Sequence, residues 1–299
     1  VTGSDRPVLV TGGNGQLGME LQRCAWPGGY QVIATGRSDL DLTDSAMIAA
    51  KVAERDWAAV INAAAYTAVD RAETDAVAAW QVNALAPAAF GQACAAAGIP
   101  LVQVSTDYVF AGDRPGARQV GDPVAPLGVY GASKLGGELA VRTSGARHAI
   151  VRTAWVVSAH GSNFVRTMLR VGAERGALRV VDDQRGSPTG AADLAHALMT
   201  VATRLAKDDR APTGTFHFSN AGETSWAGFA REIFRQSGAR GGPVATVEPI
   251  TTADYPTAAA RPANSLLSHD AIRDGYGIAP RPWQNALGDI LDELIGAVK

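Results

Sequence analysis

The chain has 299 residues, 46% apolar and 19% charged, with 27 basic against 29 acidic side chains and a formal net charge of -2. That apolar content excludes wholesale disorder, and the lack of a basic excess argues against a nucleic-acid binder. No run of about 18 apolar residues is available for a membrane span.

Residues 1–5 are polar and lack the basic-then-apolar layout of a signal peptide. Residues 8–10 predict a buried strand closed by Gly12-Gly13, and residues 15–24 a helix with Leu17 and Leu21 on one face. A second strand follows at 31–34, then a helix at 45–55 capped by Asp44 or Thr43. Residues 58–61 predict a third strand ending at Asn62. Residues 76–97 predict one long helix with Pro87 as its kink point. A fourth strand at 101–104 ends in Ser105-Thr106, followed by a helix at 131–143 and a strand at 149–151. Beyond residue 156 the pattern loosens. Residues 182–189 read as a loop, 191–205 as a helix and 215–218 as a further sheet strand. Residues 225–237 predict a helix burying Trp226, Phe229, Ile233 and Phe234. The Pro- and Thr-rich stretch 249–262 reads as irregular, and 283–298 as a closing helix.

Alternating strands and helices predict an α/β fold: a Rossmann-like doubly wound parallel sheet with a smaller mixed α/β substrate-binding domain. The dinucleotide-binding domain is expected over residues 1–155, with a segment near 191–219 returning to it, and the second domain mainly over 156–299. Cys24 and Cys94 read as free thiols of a reducing cytoplasm. Five scattered histidines lack metal-ligand spacing, so no metal site is expected.

The glycines Gly12, Gly15 and Gly18 follow a strand and open a helix, the arrangement that lets a backbone approach a pyrophosphate at a helix N-terminus. Past the second strand, Thr35-Gly36-Arg37-Ser38 carries no acid for a ribose 2′-hydroxyl. Arg37 can instead pair with a 2′-phosphate, which favours NADPH while leaving NADH usable. Tyr130 and Lys134 lie four apart at a helix start, hence on one face; of six tyrosines only Tyr130 has Lys at that offset. A free phenol has a pKa of about 10. An ammonium some 4–5 Å away is worth roughly 3–4 kcal/mol at an effective dielectric of about 20, which would lower that pKa by about two to three units. Thr106, at a strand end, can hydrogen-bond and polarise a carbonyl. Trp155 offers a flat wall for a sugar or base.

The glycine loop, Ser105-Thr106 and the Tyr130/Lys134 pair together resemble the extended short-chain dehydrogenase/reductases. Asn62 to Asp70, Ser105 to Phe110, Arg152 to Val156, Asp183 to Thr189 and Arg261 to Ser265 are similar to the dTDP-4-dehydrorhamnose reductases among them. The resemblance implies reduction of a dTDP-4-keto-6-deoxy sugar, the last step of dTDP-L-rhamnose synthesis, with a sugar nucleotide as the partner molecule and a cytoplasmic location. It places Gly15, Gln16 and Leu17 on the cofactor phosphates, Asp41 and Leu42 on the adenosine, and Ala65, Tyr66 and Thr67 along the cofactor groove. Tyr130 becomes the proton donor and Lys134 the residue orienting the nicotinamide ribose. Thr106, Asp107 and Trp155 meet the sugar nucleotide, with Arg261 and Asn264 on the facing domain. Another 4-keto-6-deoxysugar reductase, or a non-catalytic regulatory subunit of the same fold, stays open. Some members form homodimers through a magnesium ion held by glutamates. Glu20 and Glu293 match two such positions, but the third is Ala192, so both glutamates are expected at the surface without metal.

Overall fold

Val8, Leu9 and Val10 are fully buried along β1 (Arg6–Thr11), as expected of a parallel strand covered on both faces. The structure, a computed structural model, describes residues 6–296; the polar N-terminal pentapeptide and Val298 of the expected closing helix lie outside them. After β1 come α1 (Gln16–Arg23), β2 (Tyr30–Thr35), α2 (Ser45–Ala53) and β3 (Ala59–Asn62). Asp44 caps α2 by accepting the Ala46 and Met47 N–H groups. Short helices α3 (Val69–Ala72) and α4 (Ala76–Trp80) lead through a wide π-helical turn, Gln81–Leu85, into α5 (Ala86–Ala97). The single helix expected at 76–97 is thus interrupted, and the irregularity precedes Pro87. Pro87 has no N–H to donate to the Asn83 carbonyl, and that carbonyl lies where a Cβ on Gly137 would be 2.2 Å away.

Next come β4 (Leu101–Thr106), α6 (Val129–Thr143), β5 (His148–Thr153), β6 (Val156–Val157), α7 (Phe164–Glu174) and β7 (Ala177–Val181). The expected loop at 182–189 contains β8 (Arg185–Gly186) and the first residue of β9 (Thr189–Gly190), each paired with a distant segment. The chain continues through α8 (Ala191–Lys207), β10 (Gly214–His217), β11 (Thr224–Ser225) and α9 (Trp226–Ala239). It ends with β12 (Thr246–Ile250), α10 (Asp270–Tyr276) and α11 (Trp283–Leu294).

Six strands form one parallel sheet in the order β10-β5-β4-β3-β1-β2. The strand order reverses between β1 and β3, where such sheets bind nucleotides beyond their carboxyl ends. Leu17, Leu21, Leu194, Leu198 and Val201 of α1 and α8 cover one face, while Ile48, Phe90 and Val141 of α2, α5 and α6 cover the other. A separate cluster gathers Val165, Leu178, Phe229, Ile233 and Leu287 from α7, β7, α9 and α11. Among the described residues no helix is long and apolar enough to cross a membrane.

Candidate active site

The glycine loop leaves no room for side chains. Gly12 adopts a φ of +72°, a left-handed conformation that favours glycine, and a Cβ on Gly18 would lie 2.1 Å from the Gly12 carbonyl oxygen. The Gly13 N–H donates to the Thr35 carbonyl at 2.9 Å and locks the turn onto the end of β2. Gly15 is the cap residue of α1, and no side chain caps that helix. The N–H groups of its first turn, at Gln16, Leu17 and Gly18, are therefore available to an anion. The side chains there are already engaged. Leu17 is in the core, and Gln16 Oε1 accepts from Ser158 Oγ at 3.1 Å and Asn163 Nδ2 at 2.9 Å.

Arg37 is exposed on the turn after β2. The expectation of a turn without acid needs correcting: Asp39, two residues on, turns its carboxylate back to accept the Gly36 N–H at 2.8 Å. Asp41 accepts from both the backbone N–H and the hydroxyl of Thr43 at 2.8 Å, bonds that hold its carboxyl below the usual range. Leu42 packs against the core behind it.

Buried Asn62 accepts from Thr11 Oγ1 at 2.6 Å and donates to Gln103 Oε1 at 2.8 Å, which brings the ends of β1, β3 and β4 into one row. Beyond it, the loop with Ala65, Tyr66 and Thr67 is held by Asn83, a residue that sequence reasoning missed. Asn83 accepts the Tyr66 N–H at 2.8 Å and donates to the Tyr66 carbonyl and to Ser133 Oγ, both at 3.1 Å. It sits in the wide π turn. Its only signal in the sequence was an amide inside an apolar helical pattern, where a buried polar group must find partners.

Thr106 Oγ1 donates to Asp107 Oδ1 at 3.0 Å and accepts the Tyr108 N–H at 3.2 Å. Tyr130, in the first turn of α6, meets the Tyr108 ring edge-on with centroids 5.4 Å apart. Burial pushes the Tyr130 phenol up to about 12; the Thr106 hydroxyl opposes that rise and the Asp107 carboxylate adds to it. This reverses the lowering expected from Lys134. Lys134 Nζ donates instead to the Val104 carbonyl at 2.7 Å, and burial draws the ammonium down to about 8 against the pull of Glu138. The phenol is therefore protonated near neutrality, the state a proton donor needs. Asp107 is also buried, which raises its carboxyl to about 6 against the hydroxyls of Ser265 and Thr106. Its Oδ2 has no hydrogen bond among the described residues.

Trp155, two residues beyond β5, has a φ of +50°. Its ring stacks on Trp226 with centroids 3.6 Å apart and planes at 14°, and a Cβ on Gly186 would lie 2.6 Å from it. Arg261 Nη2 donates to Asp70 Oδ2 at 2.7 Å, and Asp70 Oδ1 accepts the Ala259 N–H at 3.0 Å. The late segment is thereby tied to α3, next to the Ala65–Thr67 loop. Asn264, expected to meet the substrate, bonds within the protein. Its Nδ2 donates to the Arg114 and Gly116 carbonyls at 2.6 and 2.7 Å, and its Oδ1 accepts the Leu266 N–H at 3.0 Å. Both Nδ2 hydrogens are thus used within the protein and position the loop around Gly116.

Glu20 also departs from expectation, because it is buried rather than at the surface. Arg23 donates to both oxygens of Glu293 at 2.9 Å and lies 3.7 Å from Glu20 Oε1. His160 Nε2 stands 3.4 Å from Glu20 and 3.5 Å from Glu293. The Arg23 guanidinium already pairs with Glu293 beside Glu20, and Ala192 supplies no side-chain oxygen, so the set offers too few free oxygens to fit magnesium.

A family model described as the RmlD substrate binding domain matches residues 6–295. A Burkholderia thailandensis protein named dTDP-4-dehydrorhamnose reductase is 42% identical, over 96% of this chain and 99% of its own length. A Streptomyces antibioticus protein named as a probable dTDP-4,6-dihydroxy-2-methyloxan-3-one 4-ketoreductase is 40% identical, over 97% of this chain and 96% of its own. Among solved structures, a Bacillus anthracis dTDP-4-dehydrorhamnose reductase in complex with NADP superposes with a TM-score of 0.89 at 37% identity, covering 97% of this chain and 99% of that one. The match over nearly the whole length, together with the site geometry, makes this chain a member of the RmlD family of dTDP-4-dehydrorhamnose reductases.

Proposed function

We propose that the protein reduces dTDP-4-dehydro-β-L-rhamnose to dTDP-L-rhamnose, the last step of dTDP-rhamnose biosynthesis, with NADPH and less readily with NADH. The observation that carries this reading is a half-buried Tyr130 phenol beside the Thr106 hydroxyl, raised in pKa by desolvation and so kept protonated, at the carboxyl edge of a sheet whose first turn is an uncapped glycine loop. NADP in the Bacillus anthracis relative supports the choice of cofactor. Residues 1–155, with 191–219, hold the dinucleotide, and the rest of 156–299 holds the sugar nucleotide. The glycine loop receives the pyrophosphate at the N–H groups of Gln16, Leu17 and Gly18. Arg37 faces the 2′-phosphate, Asp41 and Leu42 border the adenosine, and Ala65, Tyr66 and Thr67 line the groove.

When bound, NADPH supplies the hydride to C4 of the sugar. Thr106 donates a hydrogen bond to the C4 carbonyl oxygen. Tyr130 gives its proton to that oxygen as it becomes an alkoxide, and the Lys134 ammonium orients the nicotinamide ribose. Asp107 and Trp155 contact the sugar, and Arg261 closes over it while tethered to Asp70. The free thiols Cys24 and Cys94 support a cytoplasmic location. A second reading, reduction of a different dTDP-4-keto sugar, is favoured by the Streptomyces antibioticus relative.

NADPH oxidation with dTDP-4-dehydrorhamnose tests both. Turnover, with NMR of the product showing the rhamno configuration at C4, is the expected result. Turnover of another dTDP-4-keto-6-deoxy sugar in its place points to the second reading. Cofactor binding without turnover of either sugar favours a regulatory subunit and defeats the reductase assignment.

A further inference from the structure

Beneath the proposed proton donor lies a set of charges that the reaction does not touch. Glu138 is fully buried on α6, one turn beyond Lys134 and two beyond Tyr130. Its Oε1 accepts from Ser105 Oγ at 2.6 Å and from Arg152 Nε at 2.8 Å. Its Oε2 accepts from Arg152 Nη2 at 2.7 Å and from Arg142 Nη2 at 2.8 Å. Ser105 precedes Thr106 on β4, and Val104, one residue earlier, carries the carbonyl that receives Lys134 Nζ. The carboxylate and the ammonium therefore grip the same strand end.

Arg152 comes from β5, where it pairs in register with Ser105. Its guanidinium lies 4.9 Å from the Phe110 ring centroid, and its Nη1 faces His217 Nε2 at 3.4 Å. Burial and Arg152 push the His217 ring down to about 3. It is neutral, with Nε2 accepting and Nδ1–H donating to the Arg118 carbonyl at 3.1 Å. An apolar contact of the same volume would join α6 to β4 and β5 without desolvating two charges. Packing alone thus gives no reason for a carboxylate at this position.

Its neighbour supplies one. Lys134 is buried and its hydrogen bond goes to a neutral carbonyl. The titratable and charged groups on its own element and those packed nearby are Tyr130, Glu138 and Arg142 on α6, Asp70, Arg71 and Glu73 at α3, Asp107 and Tyr108 after β4, Arg152 on β5 and neutral His217 on β10. Glu138 is the anion whose field favours the ammonium, and the Arg152 and Arg142 guanidiniums both pair with that same carboxylate. We propose that Glu138 is a positioning residue whose carboxylate, held by Ser105 and Arg152, keeps Lys134 in the ammonium form and so sets the upper pH at which the enzyme works. The proposal rests on the reductase reading through the role given to Lys134.

The chain has only four lysines, Lys51, Lys134, Lys207 and Lys299, so protein labelled with [ε-13C]lysine gives a readable NMR titration. Lys134→Arg identifies the Lys134 signal. In Glu138→Gln the Lys134 midpoint should fall by about one pH unit or more, because a carboxylate is lost and Arg152 is left uncompensated. The alkaline limb of kcat/KM should move with it, while kcat/KM well below the midpoint stays within about threefold of wild type. Glu138→Gln combined with Arg152→Met removes both buried charges, keeps the test open if the single variant fails to fold, and should show a smaller fall. An unmoved Lys134 midpoint in the folded variants, or an alkaline limb that ignores it, overturns the proposal. The titration needs no substrate, so a wild type without turnover counts against the reductase reading and not against the Glu138–Lys134 coupling.

Discussion

Thr106, Asp107, Tyr130 and Lys134 stand at the end of β4 and the start of α6, and the bonds holding Thr106 and Lys134 come from Val104, Asp107 and Tyr108, all at that same strand end. Trp155, just past the neighbouring strand, is held differently. Its ring lies against Trp226 of α9 and over Gly186 of β8, which arrive from much later in the chain. The first group is built on rigid elements with short-range contacts; the second is a recognition wall assembled by long-range packing. Reaction chemistry tolerates little displacement, whereas a wall can shift and still bind, more weakly. Damage to the strand-end group should therefore appear in kcat, and damage to the wall in KM.

The strongest test of that division is Tyr130→Phe, which keeps the ring and its edge contact with Tyr108 but removes the transferable proton. A fall in kcat of about 10²–10⁴-fold is expected, with NADPH affinity little changed in a fluorescence titration. Activity within about threefold of wild type would remove Tyr130 from the chemistry.

Gly186→Ala probes the wall without touching Trp155 itself. The added methyl would lie 2.6 Å from the indole, so the ring must leave its stack on Trp226. An aromatic pair is worth about 0.5–1.5 kcal/mol, so KM for the sugar nucleotide should rise up to about tenfold at nearly constant kcat. Should steady-state kinetics show kcat falling as far as in Tyr130→Phe, the wall takes part in the chemistry and the contrast fails.

Arg37→Ala should have the smallest effect, because it concerns a group remote from both. A hydrogen bond to a charged group contributes roughly 1.5–3 kcal/mol; exposure and the nearby Asp39 carboxylate reduce that, leaving an NADPH preference of about tenfold or less. Comparing kcat/KM for the two cofactors should show the variant losing this preference through NADPH alone, and added salt narrowing it in the wild type. A variant that keeps its preference would mean that Arg37 only faces solvent.

Much of the first domain was legible because its signals are local. Buried strand runs closed by glycine, a helix opened by Gly15, and Tyr130 and Lys134 one turn apart are properties of a few consecutive residues. The parallel sheet, the glycine loop and the placement of Thr106 at a strand end all agree with them. What the sequence hid was set by distant partners. Asn83 became the clasp of the Tyr66 loop because α6 brings Ser133 against it, and residues 185–186 and 189–190 pair as strands because β11 and β6 reach them. Helix α7 was missed although Asn163 caps it and Val165, Met168 and Gly172 recur on its buried face, whereas α10 is short and buries only Ile272.

Electrostatics divided the same way. Residue types and spacing in the sequence determined that a phenol, an ammonium and a hydroxyl would meet at one sheet edge. Only the tertiary structure decided their protonation, because burial, absent from any linear pattern, raises Tyr130 to about 12 and lowers Lys134 to about 8. The same holds for Asn264, whose amide hydrogens go to backbone carbonyls, and for Glu20, read as exposed and found buried beside Arg23. Spacing along the chain specifies which groups an element presents, but the desolvation and hydrogen bonding that set their chemistry depend on what packs around them.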